Sequence, residues 1–327
     1  MATLALAMGS CGQEGTPSIQ RATEFRNPVI ASDFPDPSIL KVGSTYYAYA
    51  TTDANDNLQA ARSTDLVHWT RLSDPLPHLP NWHPSTKGYT WAPEVVQIGA
   101  GFVMYYTARL AEIGRQCISV ASGSDPAGPF ADRRSQPLVC QRDLGGSIDP
   151  SRFVDADGTA FLIWKNDGNC CGLPTEIWAQ RLSDDGLSLK GEAKSLGVRN
   201  DRTWEGNLIE APVVVLHDHT YYLFYSANNY AGPDYAVGYA TAKSLFGPWM
   251  KAPENPILLT RAPAAGPGGQ AIVEGPQGDL WMAYHAWDAG RIGYDSGGKR
   301  AMWIDRLTFE AGRAVVHGPT ASPQALP

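Results

Sequence analysis

Leu208–Ala227 reads LIEAPVVVLHDHTYYLFYSA, a run of valines, a short polar break and then a run of aromatic residues. β-Branched and aromatic residues on both sides of a turn signal describe a β-hairpin. The same arrangement recurs along the chain. YYAYAT at Tyr46–Thr51, FVMYYTA at Phe102–Ala108, AFLIWK at Ala160–Lys165 and LWMAYHAW at Leu280–Trp287 resemble YYLFYSA at Tyr221–Ala227, and successive runs begin 56 to 61 residues apart. A turn signal precedes each run: VGST, IGAG, DADG, LHDH and GPQG. A second marker keeps step with the first, because Trp69, Phe130, Leu189 and Trp249 fall 61, 59 and 60 residues apart.

A repeat of this length, holding one hairpin and two further strands, is the size of a propeller blade with generous loops. Five such units fill the chain. The expected fold is therefore all-β, a five-bladed β-propeller forming a single domain over residues 23–318, with a leader at 1–22 and a tail at 319–327. Two stacked sandwich domains would not carry one period from end to end.

Composition agrees with this reading. Of the 327 residues, 43% are hydrophobic and 18% charged, which suits a globular chain with a large core. Acidic residues outnumber basic ones by 33 to 26, so no electrostatic footprint for nucleic acid or an anionic membrane is present. The apolar segment Ala2–Ser10 is too short to span a bilayer and reads as the remainder of a secretory signal. The expected location is secreted or periplasmic, with lipid anchoring through Cys11 as one open reading. Cys117, Cys140, Cys170 and Cys171 lack zinc-site spacing. One disulfide from Cys117 or Cys140 to the Cys170/Cys171 pair, or free buried thiols, are the two readings left open. Oligomeric state is not fixed by the sequence.

In a propeller the first strand of each blade lies against the axis, so residues just ahead of those strands converge on one face. Three units carry an acid there: Asp36 in DFPDPSIL, Asp149 in SIDPSRFV and Glu210 in LIEAPVVV. The second unit has Glu94 on the other side of Pro93, and the fifth is neutral. Asp before Pro is also a common turn starter, but Glu210 between Ile209 and Ala211 is harder to explain by packing. Asp33, Asp53 and Glu205 rank as supporting or surface residues. Clustered carboxyls whose pKa values split are what acid and base catalysis uses.

FPDPS, SIDPS and the EAP of LIEAP, in this order at the openings of blades, resemble the signature of glycoside hydrolase family 43, five-bladed inverting enzymes acting on arabinose- and xylose-containing polysaccharides. The resemblance extends over about Asn27 to Gly312. It implies that Asp36 is the general base, Glu210 the general acid, and Asp149 an ionised neighbour that orients the acid and raises its pKa. Inversion needs the acid and base roughly 6.5–9.5 Å apart, with a water between base and sugar. The resemblance further implies that Trp91 walls the sugar subsite, Phe34 forms an apolar floor beside the base, and Arg300 approaches the sugar, with Arg306 as its competitor. His285 in AYHAW resembles an axial histidine that binds calcium, so Ca2+ at the propeller axis is the expected cofactor. Gly269 and Gln270 stand where many members carry a histidine.

The implied activity is release of β-D-xylosyl or α-L-arabinofuranosyl units from cell-wall oligosaccharides. An endo-arabinanase and a non-catalytic carbohydrate-binding propeller are the competing readings. The insert at Leu76–Thr90 is expected to close one end of the cleft, and in KNDGNCCG Asn166 and Asp167 either face the cleft or form a turn.

Overall fold

The computed structural model describes Met1, residues 24–84 and residues 86–327. Its leader and Cys11 lie outside the described residues. Four sheets of four strands and one of three follow one another along the chain, each in simple antiparallel order. The first strands of the five sheets are Ser38–Val42, Thr90–Ile98, Ser147–Val154, Ile209–His217 and Ala264–Glu274. Each touches the first strand of the next blade, and the fifth touches the first, so they form a closed ring around the axis. This is the five-bladed propeller expected from the repeat.

The opening hairpin shows how the local sequence sets the register. His217 pairs with Thr220 across Asp218 and His219, whose φ values of 46° and 58° are both left-handed. A two-residue turn with both central residues at positive φ matches the twist of the flanking strands. The aromatic runs that follow are nearly continuous rather than alternating because they are buried on both faces between neighbouring blades. Tyr49 and Tyr106 share one such core, Tyr105 and Trp164 the next, Tyr225 and Ile163 the third, Tyr222 and Tyr284 the fourth, and Tyr46 and Trp281 the last. Burying one large apolar side chain stabilises by roughly 1.5–3 kcal/mol.

The second blade departs from the four-strand expectation. Its outer position is reduced to single bridges, Ser122 to Ala131 and Ile118 to Val139. Pro126, Pro129 and Pro137 interrupt this segment, and proline has no N–H to offer a ladder. A disulfide between Cys117 and Cys140 lies in the same blade. Cys170 and Cys171 are joined to each other, so the expected bridge between the two groups is corrected: each pair closes locally.

The ring is closed by the chain's first described residues. Ile30 bridges to Met302 in the fifth blade, and the Asn27 side chain exchanges two hydrogen bonds with the backbone of Ile304. The segment set apart as a tail pairs there too, with Gln324–Ala325 antiparallel to Glu24–Phe25.

Candidate active site

Each blade opens on a residue in the left-handed region. Asp36, Ala92, Asp149, Ala211 and Gly269 have φ of 54°, 41°, 55°, 52° and 60°. Four are followed by proline and the fifth by Gln270. In blades two to five the register shifts beside this residue, between Trp91 and Glu94, Ile148 and Ser151, Glu210 and Val213, and Gly268 and Ala271. One extra residue thus sits at each opening as a bulge, which turns side chains from the sheet toward the axis. Non-glycine residues held at positive φ are strained and gather at functional sites.

A ladder of side chains holds these bulges. The N–H of Ala92 donates to Thr51 Oγ1, that of Asp149 to Thr107 Oγ1, that of Gly269 to Ser226 Oγ, and that of Asp36 to His285 Nδ1. Each acceptor lies at or near the end of the aromatic run of the preceding blade, and all four are buried. The fifth equivalent position is Lys165, which has no acceptor to offer. The Ala211 N–H donates instead to Asp149 Oδ2 at 2.9 Å.

The bulges surround one cleft of about 880 Å³, lined by Asp36, Trp91, Asp149, Glu210 and Arg300 among others. The structure therefore brings together the three expected acids and two of the expected sugar-contacting residues. Phe34 is corrected: it is fully buried beside Ala48, Ala50 and Met302, because an aromatic ring between blades one and five packs better there than at a wet wall. Arg306 is exposed and pairs with Asp279, leaving Arg300 as the arginine of the cleft. No described residue of the insert at 76–90 lines the cleft, and Leu76, Leu79 and Trp82 are drawn into the core beside blade two. Asp167 lines the cleft, whereas Asn166 is an internal pin, donating to Leu144 O and Pro174 O. Glu205 is buried and ion-paired with Lys251 at 2.7 Å.

The two aspartates have opposite surroundings. Asp36 Oδ2 accepts from Thr51 Oγ1 at 2.6 Å, and Oδ1 lies 3.3 Å from both Arg300 Nη1 and His285 Nδ1. Burial alone would raise the Asp36 carboxyl, but the Arg300 guanidinium together with the Thr51 hydroxyl holds it well below the usual carboxylate range. Arg300 is itself fixed, with Nε donating to Tyr294 Oη at 3.0 Å and its backbone N–H to Asp33 at 2.8 Å. Asp149 has no arginine partner. Burial and then the neighbouring Glu210 charge push it up to about 8. Glu210 Oε1 accepts from Tyr235 Oη at 2.8 Å, and Oε2 lies 3.2 Å from Lys165 Nζ. Glu94 accepts the Arg152 N–H and is pushed up to about 8 by burial.

His285 bears on the expected calcium. Its Nε2 is buried without a hydrogen-bond partner. With Nδ1 accepting from the Asp36 N–H, however, neutral imidazole carries its proton on Nε2. Ligation needs the other tautomer, with Nδ1–H donating to Asp36 Oδ1. Calcium also takes six to eight oxygen ligands, and among the described residues no group of three or more His, Cys, Asp or Glu could hold an ion. The residues present do not by themselves form a calcium site.

Lys165 and Tyr235 are residues of the cleft that sequence reasoning missed, and Gln270, noted only as standing where a histidine is common, lines it as well. Gln270 accepts from Ser226 Oγ and donates to Ala211 O, each at 2.6 Å, tying blade five to blade four.

Comparison with known proteins agrees with the geometry. Residues 25–313 match glycosyl hydrolases family 43. The chain belongs to that family and is a glycoside hydrolase. It superposes on the crystal structure of a thermostable family-43 glycoside hydrolase with a TM-score of 0.82 and 36% identity, over 93% of this chain and 99% of the other. An endo-1,4-β-xylanase structure from Bacteroides thetaiotaomicron gives a TM-score of 0.75 and 29% identity, over 91% and 98%. An extracellular endo-α-(1→5)-L-arabinanase of Thermotoga petrophila is 30% identical, over 65% of this chain and 50% of its own length. A β-D-galactofuranosidase of Aspergillus niger is 27% identical, over 89% and 84%. The chain thus spans about half the length of the Thermotoga protein and most of the Aspergillus one. No helix among the described residues is long and apolar enough to cross a membrane.

Proposed function

We propose that this enzyme hydrolyses, with inversion, β-D-xylosyl or α-L-arabinofuranosyl linkages in xylan- or arabinan-derived oligosaccharides. One observation carries the reading: a single cleft holds a carboxyl paired with an arginine, Asp36, and two neighbouring carboxyls without an arginine partner, Asp149 and Glu210, of which Asp149 is raised by burial and by the Glu210 charge. Inverting hydrolysis needs that combination, a base for water and a proton for the leaving oxygen. In this reading Asp36 takes a proton from the attacking water while the bond from the anomeric carbon to the leaving oxygen breaks, and Glu210 protonates that oxygen. Trp91 and the Arg300 guanidinium border the space for the sugar. A second reading, endo cleavage of arabinan, is favoured by the insert at 76–90, which packs beside blade two instead of blocking the cleft.

We also propose export from the cytoplasm, in keeping with the extracellular designation of the Thermotoga relative.

The test is hydrolysis of aryl β-xyloside, aryl α-arabinofuranoside and debranched arabinan, with proton NMR of the first-formed anomer. Inversion is expected, and retained configuration would overturn the mechanism. Glu210→Gln should lower turnover of unactivated oligosaccharides by about 10²–10⁴-fold, the usual contribution of a positioned proton donor. Wild-type rates in that variant would remove Glu210 from the acid role.

A further inference from the structure

We infer that Lys165 is a positioning residue for the acid step, aiming the Glu210 carboxyl and tying it to Asp167 on the cleft wall. The inference rests on the hydrolytic reading of this cleft and assigns a role to a side chain which that reading leaves unused. Four observations carry it. Lys165 is fully buried, and an ammonium is almost never found there unless paired. Its Nζ lies 3.2 Å from Glu210 Oε2 and 3.4 Å from Asp167 Oδ1. It occupies the one rung where the bulge ladder lacks its usual acceptor, at the end of the run AFLIWK, opposite Thr51, Thr107, Ser226 and His285 in the other blades. Asp149 replaces that acceptor by taking the Ala211 N–H.

The substitution at this rung has two linked results. A threonine or serine at position 165 could accept from Ala211 and leave the Asp149 carboxyl free to turn. The lysine instead commits Asp149 to the backbone beside Glu210, so both carboxyls are fixed on one side of the cleft. Glu210 is then gripped at both oxygens, by Tyr235 at Oε1 and Lys165 at Oε2. The charged groups facing Lys165 are Glu210, Asp167 and Asp149, and together they outweigh its burial and keep it protonated.

The experiment compares wild type with Lys165→Gln and Lys165→Arg, using Lys251→Met as a control. Lys251 is a partly buried lysine paired with the buried Glu205, but Glu205 and Lys251 are not part of the cleft lining. Each variant is measured for its melting temperature, the alkaline limb of its kcat/KM profile, and kcat on an oligosaccharide against an activated aryl glycoside. Without the ammonium, like-charge repulsion among the three carboxyls is unrelieved and they hold their proton to higher pH. Lys165→Gln should therefore move the alkaline limb upward by about one pH unit and lower kcat by about tenfold on the oligosaccharide. The aryl glycoside, which needs less protonation, should lose much less, and Lys165→Arg should recover the limb position. Lys251→Met should melt earlier with an unchanged limb.

If Lys165→Gln only melts earlier, with the wild-type limb and leaving-group dependence, Lys165 is structural and the assignment fails while the hydrolytic reading stands. A wild type that cleaves no glycoside, or retains configuration, breaks the hydrolytic reading and takes this assignment down with it.

Discussion

Asp36 and Asp149 begin the same tripeptide, Asp-Pro-Ser, and stand at the same place in their blades with φ of 54° and 55°. Their backbones are interchangeable, yet their protons are not. Beside Asp36 the preceding blade places His285, and the fifth blade's Arg300 reaches across to it. Beside Asp149 stand Thr107 and the carboxylate of Glu210, and the nearest cation, Lys165, is bonded to Glu210 and Asp167 instead. A repeated backbone thus supplies equivalent positions, and the charge of the neighbours lowers one carboxyl and raises the other. One pH unit of difference is worth about 1.4 kcal/mol, and the Arg300 guanidinium is the largest of the contributions that lower Asp36.

The most damaging way to break this contrast is Asp36→Asn. No leaving group can substitute for the activated water, so turnover should fall by about 10⁴-fold, the upper end of what a positioned base contributes. Substantial turnover on any substrate would move the base elsewhere. Next comes the pH profile of the wild type. Asp36 stays ionised far into the acid range, while Asp149 loses its proton as pH rises through about 8, so activity should fall on the alkaline side near that value. An alkaline limb that is unchanged in Asp149→Asn would show that Asp149 does not set it.

A finer test uses stability. Asp149 is raised in the folded chain, so its contribution is complete below about pH 4, its unfolded range, and is lost as pH rises through about 8. Asp149→Asn removes the charge that must be buried at high pH. Its melting temperature should therefore gain on the wild type between pH 5 and pH 9, read by calorimetry at both values, and a constant difference would contradict the assignment. The smallest expected effect is Gly269→Ala. An added Cβ would lie 2.7 Å from His285 Nδ1 and 2.8 Å from Asp36 Oδ1, at a φ of 60° that alanine tolerates poorly. We expect about tenfold lower kcat/KM with the alkaline limb in place, since the disturbance falls on the Asp36 side alone.

Much of this was legible before any coordinates. The aromatic runs carried the blade count because each must fill the space between two sheets, and the acids were visible because each precedes a proline or an alanine–proline step. Lys165 was visible too, had the ends of the five runs been aligned: Thr51, Thr107, Lys165, Ser226 and His285 form a column with one member that cannot accept a hydrogen bond. Phe34 was misplaced because an aromatic beside a catalytic acid reads equally well as wall or core, and only packing separates the two. The insert at 76–90 misled for the same reason, as its leucines and tryptophan found a core beside blade two.

The sequence by itself determined the repeat, the five blades and the positions of Asp36, Asp149 and Glu210, because strand periodicity and turn chemistry are local properties. Only the tertiary structure decided the surroundings of those acids, the pairing of the cysteines and the partners of Lys165. These depend on side chains that come together across the ring from residues far apart in the chain, such as Asp36 and Arg300. Electrostatic interaction falls with distance and grows with burial, and neither quantity exists until the ring has closed.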